Sequence, residues 1–161
     1  MNRRDLLKTT AAVSLAATTG LAGCMNLITS SCSAPSGNLE DALPDGGNGY
    51  EPTSEEPSTM EPDGVEALVF NNYDGPSGGL HSFAVVEYPS SENVEKKTEG
   101  IIESFKQFIQ AFVDADPLYG YITVEKYAYI GSGPSEDAIE ELMQMSEPLG
   151  EGCVGSNIKY P

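Results

Sequence analysis

The chain has 161 residues, with 25 acidic against 8 basic side chains and a formal net charge of −17. An acidic balance of this size leaves no basic patch, which argues against nucleic acid as a partner. With one histidine and three cysteines, none paired at ligand spacing, a zinc centre is not expected.

The first 24 residues concern address. Arg3, Arg4 and Lys8 make a positive start, and Thr9 to Gly23 carries no charge. A helix needs roughly 20 apolar residues to span a bilayer, so this stretch is too short and too weakly apolar. It suits the ~7–15-residue apolar core of a signal peptide ending in small residues, and paired arginines point to the twin-arginine route. Arg3-Arg4-Asp5-Leu6-Leu7-Lys8 resembles the twin-arginine motif, and Leu21-Ala22-Gly23-Cys24 resembles a lipobox. Together they resemble the exported lipoproteins of halophilic archaea. That resemblance implies passage through the twin-arginine translocase and cleavage after residue 23. It also implies membrane lipid on Cys24 and residence on the outer face of the cytoplasmic membrane. A two-chain lipid suffices for stable anchoring where a single chain is marginal. The alternative is a buried N-terminal helix with an incidental cysteine.

Cleavage would remove Arg3, Arg4, Lys8 and Asp5 and leave 24 acidic and 5 basic side chains, a net −19. Such like charge destabilises a compact fold by self-repulsion. Molar salt shortens the Debye length to ~3 Å and relieves it, so the composition suggests a high-salt habitat; the alternative is an acidic tail on an ordinary domain. With Cys24 lipidated, Cys32 and Cys153 remain as a candidate disulfide, since such bonds persist outside the membrane. The bond would close a loop of about 120 residues, worth ~4–5 kcal/mol by chain entropy. Spacing alone does not decide between a bridge and two thiols.

In chain order, residues 24–63 read as an acidic Pro/Ser/Gly-rich tether, extended or mobile, with one helical turn within 38–49. The packed domain is expected over 64–161. Val65 to Tyr73 and Leu80 to Tyr88 are β-rich runs separated by Asp74-Gly75-Pro76-Ser77-Gly78-Gly79, which predicts an antiparallel hairpin. Ser90 or Ser91 caps a helix whose apolar stripe includes Ile101, Ile102, Phe105, Phe108, Ile109, Phe112 and Val113. Gly100 interrupts it at a cost of about 1 kcal/mol relative to Ala, marking close packing or a weak point. Tyr121 to Ile130 is one strand or a hairpin turning at Glu125-Lys126. Ser135 caps a second helix, with Glu136 and Asp137 in its first turn and Ala138, Ile139, Leu142 and Met143 on its buried side. Cys153 to Tyr160 is expected as a short edge strand. The order β-β-α-β(-β)-α(-β) predicts an α+β domain of two layers, a mainly antiparallel sheet with both helices on one face.

Little here carries chemistry. His81 has no Gly-x-Ser-x-Gly partner motif, and the Gly-rich turns lack the phosphate-loop lysine. Asp45-Gly46-Gly47-Asn48-Gly49 and Asp114-Ala115-Asp116 fall short of a calcium loop. Glu140 and Glu141 are adjacent on a helix and point apart. No catalytic residue, cofactor or metal is predicted. Tyr121, Tyr127 and Tyr129 would share one face of a continuous strand, as a binding surface or as the floor beneath a helix. The sequence thus predicts a non-enzymatic binding or interaction module for an envelope protein or ligand. The alternatives are an accessory subunit of a membrane transporter or redox complex, or an extracytoplasmic hydrolase.

Overall fold

The structure is a computed structural model and describes residues 32–76, 78–112 and 116–161. Its elements are a 3-10 turn at Leu39–Ala42, then β1 (Glu51–Pro52), β2 (Ser58–Met60), β3 (Ala67–Asp74), β4 (His81–Glu87), α1 (Val94–Phe112), β5 (Leu118–Val124), β6 (Tyr127–Gly133), α2 (Glu136–Gln144) and α3 (Glu151–Asn157). The sheet runs β1-β3-β4-β6-β5, with β2 also on the outer edge of β3. Every neighbouring pair is antiparallel. The α+β class and the antiparallel sheet are as expected. The third β segment is a hairpin, and Glu125 takes a positive φ of 53° at its turn. Ser135 caps α2 by accepting from the Ala138 amide at 3.2 Å.

The layering differs from the expectation. The helices lie on opposite faces, giving three layers. One core joins Val69, Phe83, Val85, Ile122 and Tyr129 of the sheet to Ile139, Leu142, Met143, Cys153 and Val154 of α2 and α3. The other joins Leu68, Ala84, Val86, Ala128 and Ile130 to Val94 and Ile102 of α1. The reason lies in the strands. Phe83-Ala84-Val85-Val86 is buried throughout rather than alternately, and an uninterrupted apolar run is what a strand covered on both sides requires. Because β6 is antiparallel to both β4 and β5, those two run parallel. Helix α1 is therefore a crossover passing over β6.

Two further expectations change. Residues 38–62 are not a free tether: Ala42, Leu43 and Tyr50 are buried, and β1 and β2 extend the sheet. The C-terminal segment is a helix with a single bridge from Lys159 to Tyr121, not an edge strand. Leu149, Cys153 and Val154 fall at helical spacing and all are buried in one core, which a strand's alternation would not permit. Among the described residues, no helix is long and apolar enough to cross a membrane.

On the α2 face, Gly120 and Gly131 are cross-strand partners. A Cβ on Gly131 would lie 2.9 Å from Ile139 Cγ2 and 3.0 Å from Met143 Cγ; one on Gly120 would lie 2.8 Å from Ile158 Cδ1. The bare lane lets the C-terminal elements settle close to the sheet. Gly100 of α1 is the opposite case, since a Cβ there meets nothing within 4 Å. Thermal melts should therefore separate the two. Gly131→Ala should destabilise by about 1–3 kcal/mol through overpacking, while Gly100→Ala should stabilise by up to about 1 kcal/mol through helix propensity.

Candidate functional site: an apolar groove beneath α1

Among the described residues, helix α1 is hydrogen-bonded to the sheet side along one flank. The Tyr88 hydroxyl meets Thr98 Oγ1 at 3.0 Å, and Thr98 also donates to the Val94 carbonyl at 2.7 Å. Tyr121 donates to Glu99 Oε1 at 2.9 Å. Along the other flank Ile101, Phe105 and Ile109 pack against the core only in part and leave a cavity of about 900 Å³. Ile101, Phe105 and Ile109 form its roof, and Phe70, Ala84 and Ile130 its floor. Met60, Leu80 and Phe108 also line it and are 46%, 38% and 64% exposed.

The groove exists because its central residues are small. Phe70, Ala84, Ile130 and Tyr121 form one cross-strand row; Asn72, Ser82, Ser132 and Tyr119 form the next. Ala84 and Ser82 leave the middle of the floor low, and Gly100 removes a side chain from the roof. The second row is polar. Ser82 and Ser132 share a hydrogen bond of 2.6 Å, and the Tyr119 hydroxyl is buried with no partner among the described residues. An apolar cavity with a few convergent polar groups is the common form of a small-molecule site.

The residues singled out from the sequence lie elsewhere. Arg3, Arg4, Leu6, Leu7, Lys8 and Cys24 fall outside the described residues. His81 is buried at the end of β4, its ring edge-on to Tyr50 at 5.2 Å. The Asp45–Gly49 segment is a turn closed by a Gly47–Tyr50 bridge. No group of three or more potential metal ligands occurs among the described residues.

Tyr121, Tyr127 and Tyr129 do not form an exposed row. The turn at Glu125-Lys126 reverses the chain, so Tyr121 faces the α1 core while Tyr127 and Tyr129 face the α2 core. Tyr121 and Tyr129 are 1% and 0% exposed. Their hydroxyls do internal work: Tyr129 donates to the Ser33 carbonyl at 2.8 Å, as Tyr73 does to Pro44 at 2.9 Å and Tyr50 to Ala138 at 3.2 Å. Cys32 and Cys153 are joined by a disulfide across 121 positions, a closure worth about 5 kcal/mol by chain entropy. The groove was missed because its signals are subtractive: Gly100 in an apolar helix stripe, Ala84 and Ser82 in a hydrophobic strand, and more apolar positions on α1 than one packed stripe needs.

Residues 1–20 match the family described as the TAT (twin-arginine translocation) pathway signal sequence. No curated protein and no solved structure matches the chain. The protein therefore belongs to the class of exported proteins. It crosses the cytoplasmic membrane by the twin-arginine route and engages that translocase during export.

Burial holds the phenols of Tyr73 and Tyr129 well above their ordinary value, helped by Asp45 for the first and by Tyr127 and Glu147 for the second. A folded-state value above the unfolded one means stability is whole below about pH 10 and falls as pH climbs through the raised values. An alkaline titration should show these tyrosines ionising late and together with loss of fold, while denaturant stability stays flat from neutral pH to about pH 9.

Proposed function

We propose that this protein is a lipid-anchored, extracytoplasmic binding module of non-enzymatic type, and that its ligand occupies the groove between α1 and the sheet. The observation that carries the reading is the cavity of about 900 Å³ lined mainly by apolar side chains in a chain of net charge −17. A surface so acidic has little reason to leave Met60 and Leu80 exposed at the mouth of an apolar groove unless an apolar partner meets them. The anchor reading rests on Leu21-Ala22-Gly23-Cys24 following the export signal. With cleavage after residue 23, Cys24 would precede Cys32 by eight positions, a reach of at most about 28 Å. The tether proper is then 24–31, and it would join the domain on the α2–α3 side through Cys32, leaving the α1 groove on the far face of the sheet.

Two measurements test this. Cys24→Ser should move the protein from the membrane fraction into the medium; retention in the membrane would contradict the anchor. N-phenyl-1-naphthylamine, a neutral apolar fluorophore, should bind the Cys24→Ser protein in molar salt. Gly100→Leu, which fills open space, should weaken it at least tenfold without lowering the melting temperature. Absence of probe binding, or binding indifferent to that substitution, would contradict the groove.

A further inference from the structure

We propose that the ligand of this groove is a neutral, largely hydrocarbon molecule carrying a carbonyl oxygen, and that the Tyr119 hydroxyl donates a hydrogen bond to that oxygen. The inference rests on the groove reading above and deepens it.

Tyr119 is the exception among the buried tyrosines. Tyr50, Tyr73, Tyr88, Tyr121 and Tyr129 each place the hydroxyl on a partner: a carbonyl, a carboxylate or Thr98. Tyr119 is 4% exposed, its ring lines the groove, and its hydroxyl has no partner among the described residues. Buried phenol hydroxyls nearly always find one. Its registered neighbour Ser132 is already engaged with Ser82, so among the described residues Tyr119 is the buried donor of that row left over. A protonated phenol needs an acceptor, which a pure hydrocarbon does not supply.

Charge decides which acceptor. Beside the groove, Tyr119 borders a second hollow that also holds Glu103, Asp116 and Lys106. The Lys106 ammonium sits 5.8 Å over the Tyr119 ring, and Glu136 lines the same hollow, so one cation faces three side-chain carboxylates there. Toward the other end of α1 the groove is lined by both Lys97 and Asp63, which offset one another. With the whole chain strongly negative, a carboxylate or phosphate meets repulsion at long range and no surplus cation at close range. A neutral carbonyl escapes that penalty and still accepts the bond. Size agrees, since about 900 Å³ lies at the upper end for small-ligand pockets. The hydroxyl is screened from water as it stands. Contact therefore requires a side-chain rotation at the wall, of a kind open to the half-buried Phe105 and Ile109.

The test is displacement of N-phenyl-1-naphthylamine from the Cys24→Ser protein in molar salt by methyl dodecanoate, dodecane and dodecanoate. The ester should bind tightest. Tyr119→Phe should weaken the ester about three- to tenfold, the worth of one neutral hydrogen bond, and leave dodecane unchanged. The same variant should melt higher than the parent, because it deletes an unsatisfied buried hydroxyl; this readout confirms that the variant is folded. An ester affinity indifferent to Tyr119→Phe, or a tighter grip on dodecanoate than on the ester, would overturn the proposal while leaving the groove reading intact. Failure of the fluorophore to bind the parent protein would overturn both.

Discussion

Irregular chain laid across a sheet has no neighbouring strand to take up its backbone carbonyls, and each one buried without a donor costs as much as a lost hydrogen bond. Residues 32–50 lie over the α2-side face in this way, with only one short 3-10 turn. Side chains from below and beside supply the donors. Tyr129 reaches Ser33, Tyr73 reaches Pro44, and Ser146 reaches Ala42 at 2.6 Å. The Ser33 amide closes the set on the Pro148 carbonyl at 3.0 Å. With the Cys32–Cys153 bond at the start of the segment, these contacts turn a Pro- and Gly-rich stretch into part of the core. The rest of that face depends on this fastening, because Ala42, Leu43 and Tyr50 are buried only while the segment stays down.

The two faces of the sheet are consequently unlike. The α2 side is closed by the glycine lane, the fastened segment and the disulfide. The α1 side is held by Tyr88–Thr98 and Tyr121–Glu99 along one flank of the helix and is open along the other. A fold that is covalently stapled on one face can leave the other incompletely packed and still stay folded. Under the proposed reading, the binding surface is then drawn from the less firmly held part of the structure.

Much of this was legible in the sequence. The apolar stripe of α1, the Ser135 cap, the Gly-rich hairpin between β3 and β4 and the turn at Glu125-Lys126 all follow from local pattern and turn chemistry. The third layer was also present, in the unbroken run Phe83-Ala84-Val85-Val86, but periodicity tells which residues are buried and not how many bodies bury them. Residues 38–62 misled because composition reports the lack of regular structure, which is real, and not whether hydroxyls elsewhere satisfy the backbone. The tyrosines misled for the same reason: Tyr73 and Tyr129 are aromatic and polar at once, and only their distance to Pro44 and Ser33 shows the polar end turned inward. The groove was least legible, since it is defined by side chains that Gly100, Ala84 and Ser82 do not have.

The unequal fastening of the two faces is measured most directly by native-state amide hydrogen exchange of the oxidised protein, followed residue by residue. Amides of α1 from Ile101 to Ile109 should open at a distinctly lower free energy than those of β4, β6 and α2, and addition of an apolar ligand should close most of that gap. A single common opening energy for α1 and the α2 side, unmoved by ligand, would contradict the account.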